Sequence, residues 1–292
     1  MQNGKENVLA YLKGDPDAQD PGIVLMTGGD FGAIEHLELP ICERPIHDEG
    51  YDVFGVHWTA ATPAAHYTPG QEPVYDDIED WRDQVRFPRV DRFDWDAFAA
   101  KAARADRENK IATVVSIVGP FERVSCLTSF EDCLVNSMED PEAFGELVGA
   151  IADYKIEVIK RAYDVAHPEV FMFHDDWGTS VSTFFAPDVW RQLFKPHVKR
   201  ICDAILDRGM VCGLHSCGAI SPLVGDVVDM GVSFWEAQGE CNDFDALRAQ
   251  YPSLTILTTP PSSVVGGFLK SGELGPWMPA PGYAEKPTFL WE

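Results

Sequence analysis

The 292-residue sequence has few basic side chains and lacks the common nucleotide-binding and serine-hydrolase motifs. Lysine and arginine total 23 against 47 acidic residues, which gives a formal net charge of −24. Such a charge repels phosphate backbones and argues against nucleic-acid binding, although an acidic surface also serves solubility alone. No Gly-x-Ser-x-Gly, Walker or Gly-x-Gly-x-x-Gly motif occurs, which disfavours serine-hydrolase, kinase and Rossmann dehydrogenase functions.

The sequence also lacks a long apolar run, a secretory leader and a paired-cysteine framework. No apolar run approaches 18 residues, and the first 20 residues are polar, so we expect neither a membrane span nor a signal peptide. The seven cysteines are odd in number and scattered along the chain. This pattern predicts reduced thiols and a cytoplasmic location.

Short apolar runs alternate with helical patterns from residue 105 onward, which is typical of a parallel α/β sheet. The alternation by itself fits a barrel and a doubly wound sheet equally. Strands are predicted at 22–27, 111–118, 170–173, 210–214, 232–237 and 254–258, and helices at 129–139, 140–165, 187–208, 221–230 and 243–250.

We expect a single domain over residues 1–292. Its N-terminal part, 1–105, is less regular and includes an excursion over one face of the sheet at 59–94, which is rich in proline, aspartate and arginine. Residues 258–292 form an atypical tail rich in proline and glycine.

Polar side chains follow four of the predicted strands at the point where each strand ends. Ligands of parallel α/β folds bind at the carboxyl ends of strands, so these clusters are the candidate site. They are Gly119–Glu122, His174–Asp176, His215–Cys217 and Glu236–Cys241.

A His-x-Cys pair is the strongest candidate for metal binding. In an extended chain His215 and Cys217 project from one face, and imidazole and thiolate are preferred zinc ligands. A catalytic zinc needs a third protein ligand, for which Glu236 and Cys241 are both candidates. The alternative is purely structural, with Cys217 as a small buried residue and His215 as a helix cap.

The acidic pair Asp175 and Asp176 is the main candidate for acid–base chemistry. One carboxylate could hold a substrate hydroxyl or act as a general base, and like-charge proximity would raise one pKa. The alternative is an N-cap in a solvated turn, and Glu122 has the same ambiguity. His174 completes the catalytic candidates, although it also fits a packed loop histidine.

The order of these motifs resembles the uroporphyrinogen decarboxylase superfamily, and within it the branch of corrinoid-dependent methyltransferases. The resemblance extends from about residue 5 to residue 257. It rests on the ordered stretches Asp52–Val56, Phe87-Pro88, Phe93–Trp95, Gly119–Glu122, Phe173–Gly178, Trp190–Pro196 and Leu214–Gly218.

The resemblance implies a TIM-like (β/α)8 barrel with its site at the carboxyl face. Methyltransferases of this branch move a methyl group between a small substrate and the cobalt of a separate corrinoid protein, and some bind zinc through His-x-Cys and a more distant cysteine. A zinc site built on His215 and Cys217 and a corrinoid protein partner are therefore expected, and the resemblance leaves room for a homodimer. The aromatic residues Trp177, Trp58 and His57 would line the substrate pocket.

The sequence departs from the family pattern at three places. No cysteine follows Cys241, and the chain continues after Leu257 with a proline- and glycine-rich tail, which implies a shortened or altered last β/α unit. Residues 25–30 replace the Arg-Gln-Ala-Gly-Arg stretch that grips substrate carboxylates in true uroporphyrinogen decarboxylases. Two alternatives stay open: a metal-free decarboxylase built on the acidic pair, and a non-catalytic family member that acts as a binding or assembly subunit.

Overall fold

A sheet of six parallel strands forms the centre of the computed structural model, which describes residues 4–22, 33–45, 49–58, 72–239, 241–259 and 282–292. Numbered in chain order, the strands are β1 (Ile34–His36), β2 (Gly50–Tyr51), β3 (His57–Trp58), β4 (Ile111–Ser116), β5 (Val170–His174), β6 (Val211–Ser216), β7 (Phe234–Gln238) and β8 (Thr255–Thr259). The sheet order is β1-β4-β5-β6-β7-β8, while β2 and β3 pair as a separate antiparallel hairpin.

Helices connect these strands, and the six parallel strands curl into an open half-barrel. The α-helices are α1 (Gly4–Leu12), α2 (Trp81–Gln84), α3 (Trp95–Ala102), α4 (Pro120–Leu127), α5 (Phe130–Glu139), α6 (Pro141–Ala166), α7 (Pro187–Leu193), α8 (Lys195–Leu206), α9 (Val224–Asp229) and α10 (Phe244–Gln250). Short 3-10 helices cover Ile78–Asp80, Val90–Arg92, Ser221–Leu223 and Thr288–Leu290. In the described part of the chain, no helix is long and apolar enough to cross a bilayer.

The five strands predicted after residue 105 are all present, within two residues of their predicted ends. They are recognisable because their residues are buried and rich in apolar side chains; every residue of β5 and β6, for example, is buried. Helix α6 begins as its sequence predicts, since Asp140 accepts the backbone N–H of Ala143 at 2.9 Å and Pro141 occupies the first turn.

Two helical predictions differ from the structure. No helix was predicted between residues 118 and 129, yet Pro120 begins α4, because proline fits the first turn of a helix as readily as a loop. The single helix predicted at 187–208 is divided at Phe194 into α7 and α8. Pro196 has no N–H to donate to the preceding turn, so the first helix cannot continue through it.

The N-terminal predictions and the tail are described in part. The strand expected at 22–27 lies, after Gly22, outside the described residues, as do residues 25–30 and the first part of the excursion, 59–71. Residues 72–94 form short helices and turns outside the sheet. At the other end of the chain, Tyr283 pairs with Tyr51 in an antiparallel bridge, and the Trp291 indole donates to the carbonyl of Val53 at 3.0 Å.

Candidate metal centre

Sheet register brings three site candidates into one row across neighbouring strands. His174 of β5 pairs with His215 of β6, and His215 pairs with Glu236 of β7. The two imidazole rings stack with centroids 4.6 Å apart and an interplanar angle of 8°. Residues separated by dozens of positions in sequence therefore share one point at the carboxyl edge of the sheet.

A carboxylate holds each histidine by its Nδ1 atom. Glu122 Oε2 lies 2.9 Å from Nδ1 of His174, and Glu236 Oε1 lies 3.2 Å from Nδ1 of His215. Metal-binding histidines are commonly oriented in this way, because the carboxylate fixes the ring and makes the other nitrogen a better donor to a metal. Both Nε2 atoms are thereby directed away from their carboxylates.

The two Nε2 atoms share further donors. Asp176 Oδ1 lies 3.7 Å from Nε2 of His174 and 3.9 Å from Nε2 of His215, and Cys217 Sγ lies 3.3 Å from the latter. Among the described residues, the donor atoms of His174, Asp176 and His215 all lie within 4.8 Å of one another. These three residues are buried and could hold one metal ion.

The donor set suits zinc. Typical zinc bond lengths of about 2.0 Å to nitrogen and 2.3 Å to sulfur place tetrahedral N and S ligands roughly 3.5 Å apart, close to the 3.3 Å between His215 and Cys217. The backbone N–H of Cys217 donates to Asp176 Oδ1 at 2.7 Å and fixes the loop that carries the thiol. Nitrogen, sulfur and one carboxylate form a donor set that zinc accepts.

The protonation of the cluster depends on its occupant. Although burial disfavours a charged imidazole, the carboxylates of Glu122 and Asp176 raise the pKa of His174 to about 9. Burial first, and then Asp176, raise the pKa of the Cys217 thiol well above its usual value. A bound cation would replace both protons, because metal ligands must be deprotonated.

The two aspartates of the acidic pair have different neighbours. Asp175 is fully buried and accepts the N–H groups of Phe121, Glu122 and the Trp177 indole at 3.2, 3.0 and 2.8 Å. Burial and the charge of Glu122 raise the pKa of Asp175 to about 8. Neither aspartate lies in a solvated turn, although Asp175 does cap a helix: it accepts the first N–H groups of α4 from just beyond the end of β5, and Asp176 is the member that meets the histidines.

Two glycines allow the close approaches that build this centre. A side chain at Gly119 would collide with Asp175, which α4 contacts through its first N–H groups. Gly218 has a φ of +90° and passes directly over the backbone of Gly178. The positive φ and the crowding both require glycine at this turn.

The remaining candidates take other positions. Cys241 is half-buried in the segment after β7, and its neighbour Asn242 donates to the carbonyl of Gly218 at 2.9 Å. Neither Cys217 nor Cys241 is one of the three residues whose donor atoms converge in the described part of the chain; Cys217 differs from Cys241 in lying 3.3 Å from Nε2 of His215. Trp58 donates its indole N–H to Asp52 at 3.1 Å, and the exposed His57 ring contacts Tyr51. Both contacts lie within the β2–β3 hairpin.

A second group of buried charges was not predicted from the sequence. Arg123 of α4 pairs with Asp52 at 2.5 Å and donates to the carbonyl of Glu43 at 2.9 Å, while Lys155 of α6 pairs with the Glu43 carboxylate. One signal was available: Lys155 lies four residues from both Ile151 and Ile159, on the apolar face of the helix. A lysine at such a position predicts a buried partner.

Comparisons with known proteins give one family match and one solved structure of similar fold. The family model of uroporphyrinogen decarboxylase (URO-D) matches residues 64–258. Among solved structures, a methyltransferase from Methanosarcina mazei superposes with a TM-score of 0.59 at 16% identity, over 97% of this chain and 93% of that one. Old Yellow Enzyme from Pichia sp. AKU4542 has a TM-score of 0.34 at 8% identity, over 97% and 75% of the two chains, which is too low to support an argument. A comparison with curated proteins finds no match.

The structural likeness confirms the TIM-like barrel expected from the sequence, here with an open half-barrel that fits an altered last unit. The family model extends over well more than half of the chain, including all the residues of the histidine cluster. The chain therefore belongs to the uroporphyrinogen decarboxylase (URO-D) family.

Proposed function

We propose that this chain is a zinc-dependent methyltransferase, which moves a methyl group between a small substrate and the corrinoid of a partner protein. The observation that carries the proposal is the convergence of His174, Asp176 and His215, with Cys217 Sγ 3.3 Å from His215. The fold supports it, since the similar Methanosarcina mazei structure is described as a methyltransferase.

The chain's own residues would prepare the site. Glu122 and Glu236 orient the two imidazoles, and the cluster is only 5–6% exposed at His174, Asp176 and His215. Burial of this kind keeps water from a reactive nucleophile. A zinc ion held by these residues would act as a Lewis acid that stabilises a thiolate or a leaving heteroatom anion at neutral pH.

The proposed methyl transfer needs no external oxidant or reductant. The methyl group leaves its donor without the bonding electrons, which stay on the donor atom: the heteroatom of the small substrate in one direction, and the cobalt of the corrinoid in the other. The attacking nucleophile supplies the electron pair for the new bond. Among the residues of the centre, Asp176 is placed beside both Nε2 atoms, whereas the three N–H donors on Asp175 give that carboxylate a structural role. A metal-free decarboxylase that needs both aspartates is correspondingly less well supported.

Zinc content tests the proposal. We expect about one zinc per wild-type chain by elemental analysis, and loss of zinc in His174→Ala, Asp176→Ala, His215→Ala and Cys217→Ala. Cys241→Ala is the matched control, because it removes the other candidate thiol: retained zinc assigns the centre to the converging residues, and lost zinc assigns the remaining position to Cys241.

Methyl transfer is then measured with methylcobalamin and a small thiol such as 2-mercaptoethanol. The zinc-loaded wild type should consume methylcobalamin and methylate the thiol, and the zinc-free variants should not. A well-folded wild type that takes up no zinc would refute the proposal and would favour a metal-free enzyme or a non-catalytic binding or assembly subunit.

A further inference from the structure

A cleft opens at the carboxyl ends of β1 and β4, beside the metal centre. Its walls are mainly aliphatic, and its polar lining residues are His36, Glu38, Glu43 and Ser116. Ser116 pairs with Phe173, which directly precedes His174, so the cleft and the centre lie at neighbouring strand ends. A molecule held in the cleft would contact the ends of β1 and β4, while His174 and His215 of the metal centre lie outside its lining.

Glu43 brings an unsatisfied acceptor to this cleft. Its side chain is 3% exposed, and one oxygen, Oε2, pairs with Lys155. The other oxygen, Oε1, is buried and accepts no hydrogen bond in the part of the chain that the structure describes. A buried acceptor without a donor is costly, so a ligand that donates to it would be stabilised.

The neighbouring cations are already engaged. Lys155 donates to the carbonyl of Ile117 at 2.8 Å in addition to its pair with Glu43, and Arg123 pairs with Asp52 at 2.5 Å. This buried group therefore contains two acids, Glu43 and Asp52, and two bases, Lys155 and Arg123, so its charges balance. An anionic ligand would find no uncommitted cation among these residues and would bear an uncompensated desolvation cost.

His36 supplies a second acceptor. Its Nδ1 lies 2.9 Å from Thr113 Oγ1, and the Thr113 hydroxyl donates to the carbonyl of Glu35. An imidazole proton on Nδ1, donated to Thr113 Oγ1, satisfies both of these contacts and leaves a lone pair on Nε2. Burial lowers the pKa of His36 to about 4, against the opposing charge of Glu236, which keeps the ring neutral near pH 7.

We propose that this cleft binds the hydroxyl or amino end of a small, otherwise apolar molecule, which donates hydrogen bonds to Glu43 Oε1 and His36 Nε2. Two acceptors and aliphatic walls select a donor group without negative charge and reject carboxylates, sulfonates and phosphates. Binding itself does not require the metal. That the bound molecule is the methyl substrate rests on the function proposed above.

Three probes that differ only in their polar group test the selectivity: cyclohexanol, cyclohexylamine and cyclohexanecarboxylate. Their dissociation constants are measured by ligand-observed NMR on the full chain, once loaded with zinc and once treated with a chelator. We expect the alcohol or the amine to bind at least about tenfold more tightly than the carboxylate, in both preparations. The tighter of the two identifies the donor group as a hydroxyl or an ammonium.

Two variants locate the binding. His36→Leu and Glu43→Gln should each weaken the preferred probe about tenfold, the effect of one lost hydrogen bond. Glu35→Gln is the matched control outside the cleft: Glu35 precedes His36 on β1 but does not line the cleft, and its carboxylate pairs with Lys110 at 3.5 Å, so probe binding should not change. If Glu43→Gln prevents folding, His36→Leu decides the question, because His36 lies outside the buried ion group.

Equal or tighter binding of the carboxylate, or unchanged binding in both His36→Leu and Glu43→Gln, would overturn the proposal. The two proposals fail separately. Zinc uptake without probe binding refutes the cleft alone, while probe binding by a chain that takes up no zinc refutes only the metal-dependent function.

Discussion

Glu236 was a candidate metal ligand in the sequence. In the structure its Oε1 contacts Nδ1 of His215, whereas the candidate metal donors Cys217 Sγ and Asp176 lie near Nε2. A carboxylate in that place orients the ring and raises its basicity without touching the metal.

We therefore expect Glu236→Gln to weaken zinc binding by about 10–100-fold while the stoichiometry stays near one per chain. The amide still accepts from Nδ1 but carries no charge, so the ring keeps its place and loses basicity. Competition with a chelating dye measures both the dissociation constant and the stoichiometry.

Glu131→Gln provides the control, since Glu131 is exposed on α5 and should leave zinc affinity unchanged. If Glu236→Gln instead abolished zinc uptake as completely as His215→Ala, Glu236 would be a direct ligand, and the assignment of Asp176 would have to be revised.

At the scale of elements, helix α4 places Glu122 in the metal centre because its first turn packs against Asp175, directly after β5. The N–H groups of Phe121 and Glu122 donate to Asp175, and Gly119 leaves the space for that approach. Gly119 adopts extended backbone, so its role is spatial and not conformational.

Gly119→Ala should destabilise the protein by about 1–3 kcal/mol, because the added methyl group must displace Asp175 in a packed interior. The free energy of unfolding is measured by urea titration. Gly145→Ala is the matched control: Gly145 lies within α6, where the new methyl group meets Leu193 at an ordinary 3.9 Å, and it should stabilise the helix by about 0.5–1 kcal/mol. Equal stability changes in the two variants would mean that α4 does not depend on this close approach.

The same elements show how far sequence reasoning extends. Strands β4 to β8 were predicted from their short apolar runs, and the clusters at the ends of β5 and β6 include the three residues whose donor atoms lie close together. Helix α4 was missed because Gly-Pro is compatible with both a loop and a helix start. Asp175 caps α4, whereas Asp176 lies beside the histidines. This difference depends on contacts with α4, and two adjacent aspartates cannot be told apart from the sequence.

For the whole molecule, ordered motifs identified the family and the barrel, whereas the buried charges could not be assembled from sequence. Glu43, Asp52, Arg123 and Lys155 come from four separate segments, and their pairing depends on the packing of the hairpin, α4 and α6 together. Periodicity reports which face of one element is buried, but it does not report which residue of another element meets it.

The tail is the other whole-molecule feature that sequence alone left open, and its last described segment is an integral part of the fold. Residues 282–292 return to the hairpin and to residues 85–93: the backbone N–H of Arg89 donates to the carbonyl of Leu290 at 2.8 Å, and Trp291 donates to Val53. Leu290 is 1% exposed and the adjacent Phe289 is 57% exposed. Neighbouring residues of the tail therefore differ sharply in burial, which permits a direct test.

We expect Leu290→Ala to lower the free energy of unfolding by about 2–4 kcal/mol, since it leaves a cavity between the tail and the segment that contains Arg89. Phe289→Ala removes a larger but exposed side chain and should cost less than about 1 kcal/mol. Both are measured by urea unfolding followed by tryptophan fluorescence. If neither variant lost stability, the tail would be an appendage that contributes nothing to the barrel, and equal losses would mean that the burial of Leu290 does not determine its contribution. The large loss expected for Leu290→Ala would instead mean that the hairpin, and through Asp52 and Arg123 the start of α4, is held in place by the end of the described chain.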